Sequence, residues 1–232
     1  DALERAESQD VVMRVRALME LGRYTLAAEL LRSTLATDPP PFLVLALATC
    51  LRSSGDRQGA VTCYERLLEG DGQFTLLARR ALAAQHNEVG DGAGALRRLD
   101  GLRTSAPLPA PIVAGFTSER ASALLALGRA DEALAAAERA LAFVDEALRS
   151  AQGPNRIALR GERARVLATR GQALLGLRRL AEGRAALLEA LKLAASLPLE
   201  EQHLAKRQVR ATALEAVPGD DEVLRWADLA FP

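Results

Sequence analysis

One frame, repeated five times, constrains this chain more than any other feature. Leu124-Leu125-Ala126-Leu127-Gly128-Arg129-Ala130-Asp131-Glu132-Ala133 carries an apolar, helix-like stretch into a Gly turn and out into a second stretch that opens on a small residue. Leu18-Met19-Glu20-Leu21-Gly22-Arg23-Tyr24-Thr25-Leu26-Ala27 does the same. So do Ser54-Gly55-Asp56-Arg57-Gln58-Gly59-Ala60 and Val89-Gly90-Asp91-Gly92-Ala93-Gly94-Ala95. A fifth copy, Leu177-Arg178-Arg179-Leu180-Ala181-Glu182-Gly183, has Arg178 where the others have Gly. The turn positions 22, 55, 90, 128 and 178 are spaced by 33, 35, 38 and 50 residues. Self-similarity at such a period marks a stack of helical hairpins, because each hairpin has an apolar face that only a neighbour can bury. The long last interval predicts longer helices or a longer connection between Ala142 and Glu162, where Gly153-Pro154-Asn155 supplies a turn.

Composition agrees. Apolar residues make up 49% of the chain but aromatics only 3%, so the core must be built from Ala, Leu and Val. Small, unbranched residues favour helices and close helix packing, and the scarcity of β-branched residues argues against a sheet. The two cysteines, Cys50 and Cys63, make neither a disulfide framework nor a metal set; both are expected on buried faces as free thiols in a reducing compartment. No apolar run reaches membrane-spanning length, and no leader-like segment is evident. The first residue is Asp1 rather than Met and the last is Pro232, which suggests a processed chain or a fragment of something longer.

With its frame laid out, the chain resembles the tetratricopeptide repeat family. That family has a small residue late in the first helix, Gly at the turn, an aromatic two residues on, Ala in the second helix, then an apolar pair and Pro. Gly22, Tyr24, Ala27, Leu31, Leu35 and Pro39 match best. Ala48, Gly55, Ala60, Tyr64 and Leu68 form the second copy, and Ala83, Gly90, Ala95 and Leu99 the third. Ala121, Gly128, Ala133, Ala140 and Leu141 form the fourth, and Gly171, Leu180, Gly183, Ala190 and Leu191 the fifth. The first-helix Trp of the family is missing throughout. The resemblance implies an all-α fold: an α-α superhelix, a right-handed solenoid of about five hairpins over residues 8–40, 41–73, 74–108, 110–152 and 155–197. Residues 198–232 are expected to cap it. Leu199–Val217 reads as a solvating helix and Asp220 or Asp221 as the cap of a last short helix, whose Trp226 and Leu229 dock back.

Catalytic and metal chemistry find little to stand on. His86 and His203 lie in different helical units, and Cys63 with His86 would lack an orienting third group. Gly90-Asp91-Gly92-Ala93-Gly94 lacks the preceding strand and following Lys that a phosphate loop needs, and a helix–helix turn explains it. No metal, cofactor or enzymatic activity is expected. The resemblance instead implies binding of a protein partner in a concave groove lined by the first helices. Transferring the frame places Arg16, Glu20, Thr49, Arg52, Arg80, Ala84, Asn87 and Glu88 there, followed by Ser118, Ser122, Arg165, Thr169 and Gln172.

Charge refines the expectation. Thirty basic and 30 acidic residues cancel, which argues against nucleic acid as a partner. Residues 149–210 carry 13 basic and 5 acidic side chains, whereas beyond Arg210 five acids face one Arg. The basic stretch favours an acidic partner, unless its charges are merely solvated helix faces. Twenty-eight of the 30 basic residues are Arg, a bias typical of a GC-rich bacterial genome. The sequence thus predicts a cytoplasmic scaffold or adaptor. Two alternatives are a regulatory arm of a larger bacterial kinase, protease or transcription factor, and a helical-scaffold enzyme. Membrane insertion is not expected; self-association through an end hairpin is compatible with the pattern.

Overall fold

The structure, a computed structural model, describes residues 2–34, 39–70, 72–100 and 108–230; the side chains of 2–9, 111, 154, 199–205, 207, 208 and 230 fall outside that description. Leu35 and the side chain of His203 therefore lie outside the described residues, as do the polar side chains expected along Glu200–Gln202. The described residues form helices and turns with no strand. The order is α1 (Ala2–Glu20), α2 (Tyr24–Thr34), α3 (Pro41–Ser54), α4 (Arg57–Leu67), α5 (Gln73–Glu88), α6 (Gly92–Leu99), α7 (Ala110–Ala126), α8 (Ala130–Ser150), α9 (Gly153–Gly176), α10 (Leu180–Ala195), α11 (Leu199–Ala216) and α12 (Asp221–Ala230).

Every turn of the repeated frame has the same backbone. Gly22, Gly55, Gly90 and Gly128 take φ of +68°, +95°, +76° and +71°. Gly22 N–H donates to Met19 O and Arg23 N–H to Leu18 O; Gly128 and Arg129 do the same toward Leu125 and Leu124. This paired bonding satisfies the last carbonyls of the first helix and reverses the chain within three residues. Arg178 makes the identical pair of bonds with its neighbour Arg179, at φ +61°. For a residue with a Cβ that conformation costs about 1 kcal/mol. Arg178→Gly should therefore stabilise the protein by roughly 0.5–1 kcal/mol in urea unfolding, net of the extra freedom Gly has in the unfolded chain. Lower stability in the variant would mean that the Arg178 side chain compensates the strain.

The start of the second helix is fixed as locally. Asp56 accepts from Gly59 N–H at 2.9 Å and Asp91 from Gly94 N–H at 2.8 Å, each capping the helix that follows. A Cβ on Gly59 or Gly94 would strike the capping carboxylate, so these two glycines serve the cap. His86 Nδ1 lies 2.9 Å from the other oxygen of Asp91. The Gly94 N–H first, and then His86, hold the Asp91 carboxyl below the usual carboxylate range. The Gly-rich turn is thus already occupied by a carboxylate, where a phosphate would need open N–H groups.

Contacts divide the chain into two compact units, residues 1–82 and 83–232. In the first, α1 to α4 and the start of α5 enclose Leu31, Val44, Leu51, Tyr64 and Leu82 around fully buried Ala27, Ala48, Ala60 and Ala78. Cys50 is sealed in this core, where burial raises its thiol pKa to about 11. Cys63, expected to be buried too, is only half-buried because it sits one position from the inward Tyr64 face of α4.

In the second unit Ala121, Ala133, Ala137, Ala140 and Leu174 pack between α7, α8 and α9, while Leu187, Leu191, Val209, Ala213 and Val223 pack between α9, α10, α11 and α12. The long interval before Arg178 is spent on helix rather than loop: α8 has 21 residues and α9 has 24, joined by Ala151 and Gln152 alone. Gly171 of α9 and Gly183 of α10 meet backbone to backbone, a Cβ on either lying 3.0 Å from the other's carbonyl oxygen.

α11 and α12 form a further hairpin. Asp220 caps α12, accepting from Glu222 and Val223 N–H at 3.1 Å each, and its carboxylate also binds Arg184 of α10. Trp226 packs into the core beneath Lys192, whose Nζ stands 5.5 Å from the ring centroid. Leu229, expected to dock beside Trp226, is 53% exposed, because three residues along a helix of this length turn it past the contact line. Among the described residues, no helix is long and apolar enough to cross a membrane.

Candidate functional site

The first helix of each hairpin in the second unit contributes one wall to a cavity of about 590 Å³. α5 supplies Ala84, Asn87 and Glu88; α7 supplies Glu119, Ser122, Leu125 and Ala126. α9 adds Arg165, Ala168, Thr169 and Gln172, and α11 adds Val209, Ala211, Thr212 and Glu215. No residue of α6, α8, α10 or α12 takes part. The reason is geometric: α7 packs on α9 and α9 on α11, so the first helices are neighbours of one another as well as of their hairpin partners.

A buried ion network ties these walls together. Glu119 is 2% exposed, and Arg165 Nη2 donates to its Oε1 at 2.7 Å. Arg165 Nη1 donates to Glu162 Oε2 at 3.0 Å. Asn87 Nδ2 reaches from α5 to donate to both the Oε2 and the backbone oxygen of Glu119, each at 3.0 Å. Burial opposes the Arg165 charge, but Glu162, Glu119 and Glu88 outweigh it and hold the guanidinium above the ordinary arginine range. The planar fork of Arg suits two carboxylates at once, which a Lys could not replace. Asn87 Oδ1 is buried at this site without a hydrogen-bond partner.

Of the residues expected in the groove, Asn87, Glu88, Ser122, Arg165, Thr169 and Gln172 line this cavity, as does Ala84. Ser118 does not: it is 1% exposed, one residue round the helix from Glu119 and turned into the core. Arg165, expected along the groove, lines it and is also the hub of the network, because three carboxylates converge on it. Ser122 and Thr169 return their hydroxyl protons to their own helix, to Ser118 O at 3.3 Å and Arg165 O at 3.1 Å.

The remaining five belong to the first unit. Arg16 and Glu20 form an exposed pair at 2.9 Å, Thr49 donates to Leu45 O, and Arg52 and Arg80 are half-buried on α3 and α5. Sequence reasoning missed Glu119, Glu162 and all of the α11 wall. Glu119 left one signal, a lone carboxylate in the apolar Ala110–Ala126 stretch; α11 left none, having been read as a cap.

The comparisons bear on the fold. Residues 43–78 match the family model of the tetratricopeptide repeat. The match is confined to that segment. It lies in the first unit, and the hairpins of the second share its left-handed turn and small-residue crossings. No curated protein matches the sequence. The crystal structure of the APC/C hetero-tetramer Cut9-Hcn1 superposes with a TM-score of 0.60 at 15% identity over 99% of this chain, which spans about half of that one (47%). Nearly identical TPR-like repeats from Podosopora anserina give a TM-score of 0.49 at 24% identity, covering 79% of this chain and 96% of theirs. The fold is all-α and of the tetratricopeptide-repeat type. Among the described residues, no group of three His, Cys, Asp or Glu side chains could hold a metal ion.

Proposed function

We propose that this chain is a non-catalytic interaction scaffold whose second unit holds a segment of a protein partner along α5, α7, α9 and α11. The observation that carries this reading is that the cavity is lined by four first helices and by no second helix. Tetratricopeptide-type folds generally serve protein–protein interaction, and a concave face built from repeated first helices offers a long, shallow track suited to a peptide. Mixed lining supports the same reading: Leu125, Ala126 and Val209 give apolar contact, and Gln172 and Thr212 give hydrogen-bonding groups. Arg165 and Glu119, the buried ionisable groups of the site, are bound to each other, which favours binding over acid–base work. Arg-rich composition and the free thiol of Cys50 accord with a bacterial, reducing cytoplasm.

A photo-crosslinking residue placed at Gln172 or Thr212 should capture a protein in the native host, whereas one at the exposed Glu146 of α8 should not. Capture from position 146 alone would move the interface to the second helices and remove this reading.

A further inference from the structure

We propose that the end of the second unit where α8 turns into α9 docks an acidic segment of a protein. The docking surface is a patch of three guanidiniums, Arg149, Arg156 and Arg160. Residues 149–210 hold the basic excess of the chain, and much of that excess is bound in the fold. Arg163 meets Asp145 and Glu189, Arg170 meets Glu138, Arg179 meets Glu182, and Arg184 meets Asp220 and Glu222. The three at the α8–α9 connection differ. Arg156 Nη1 donates to the backbone oxygen of Leu148 at 3.4 Å, and Arg160 Nη2 donates to the Ser196 hydroxyl at 2.9 Å. Both acceptors are neutral. Among the described residues, none of the three guanidiniums forms an ion pair, and Arg149 has no side-chain bond at all.

Local geometry brings the three together. Arg156 and Arg160 stand four residues apart on α9, so they share one face of that helix. The bond to Leu148 draws Arg156 to the last turn of α8, where Arg149 is the next residue. Arg149 also lies one turn past Asp145, which accepts from Arg163 of α9 at 2.9 Å, so it borders the same seam. The first turn of α9 holds no acid to offset this charge, and Asp145 and Glu189 are both taken by Arg163. A guanidinium bonded to a single neutral oxygen keeps most of its five donors, and a carboxylate can accept two of them at once.

A protein segment with spaced Asp or Glu side chains fits this patch better than a nucleic-acid backbone does. Three guanidiniums make no continuous basic stripe, and the chain as a whole carries no net charge. Exposed Glu146, one turn back from Arg149, bounds the patch on the α8 side. Its like charge keeps an acidic segment off that shoulder, so the segment runs from Arg149 across Arg156 toward Arg160 and Ser196. None of the three arginines lines the groove, so this surface is independent of the groove reading.

Fluorescence anisotropy on the full chain tests this with three rhodamine-labelled probes: a short peptide alternating Glu and Ser, its Gln counterpart, and a short DNA duplex. The Glu peptide should bind at low salt and the Gln peptide should not. Affinity for the Glu peptide should fall about tenfold in Arg149→Gln/Arg156→Gln/Arg160→Gln. It should stay within about twofold in Arg97→Gln/Arg139→Gln/Arg225→Gln, which removes equal charge from exposed positions elsewhere. Equal loss in the two triples would reduce the effect to net charge and overturn the patch, and so would absence of binding. A duplex held more tightly than the Glu peptide and released by the first triple would overturn the protein assignment in favour of a phosphate backbone. If the first triple loses stability in urea, Arg149→Gln alone, which breaks no bond, should still weaken the Glu peptide about twofold, and unchanged affinity there would overturn the proposal.

Discussion

Replacing Arg165 with Ala should destabilise the protein by about 3–5 kcal/mol, the range for stripping one partner from a buried ion pair. The loss comes less from the bonds removed than from what is left behind. Glu119 would keep its charge at 2% exposure without its Arg165 partner, and Glu162 would lose its Arg165 contact as well. Adding Glu119→Gln to Arg165→Ala removes the stranded charge and should recover at least half of the loss; Arg165→Lys, which keeps charge but not the fork, should fall between. Urea unfolding of the four proteins measures this. If Arg165→Ala unfolds within about 1 kcal/mol of wild type, the network is a surface pair in energetic terms. The same experiment bears on the proposed groove, since a large loss means that Arg165 cannot be probed by charge reversal without disturbing the walls it ties together.

What could be read from the sequence, and what could not, follows from the range of the interactions. The five turn positions were legible because each is a local contract: one residue at positive φ, bonded back to the preceding helix, and a small residue five positions on. Even Arg178 was visible as the odd member, and its φ of +61° shows the fold imposing the turn on a residue ill-suited to it. The first-helix face was legible for the same reason, since a frame anchored on Gly90, Gly128 and position 178 fixes which residues of α5, α7 and α9 point inward. Charge was not legible. Arg165 and Glu119 are 46 residues apart, and nothing in either neighbourhood marks them as partners. The basic stretch read either as a face for an acidic partner or as solvated helix faces, because the acids that bind Arg184, Asp220 and Glu222, come 36 and 38 residues after it. The α11 wall was missed on a different ground: its turn into α12 lacks the repeated frame, so the two helices were read as a cap and given no groove face.

Gly171→Val should cost about 3 kcal/mol, by overpacking where two backbones touch. A Cβ at position 171 would sit 2.7 Å from Leu187 Cγ and 3.0 Å from the Gly183 carbonyl; at 183 it would sit 2.7 Å from Leu175 Cγ and 3.0 Å from the Gly171 carbonyl. A flexible Leu can swing aside, but a carbonyl within a helix cannot, so α9 and α10 must separate. Gly171→Ala sets the scale. It gains about 1 kcal/mol of helix propensity and loses about 1–3 kcal/mol to the clash, so it should end only mildly destabilised. Val adds two methyls to the clash and regains less propensity. Because α9 belongs to both cores of the second unit, separation there has nowhere to be absorbed. The expected signature is early loss of amide protection across α9 and α10 in hydrogen exchange, together with weaker binding in the proposed groove, whose Thr169 and Gln172 the same helix carries. Val tolerated within about 0.5 kcal/mol would mean that the crossing can relax. The small-residue frame would then record composition rather than contact.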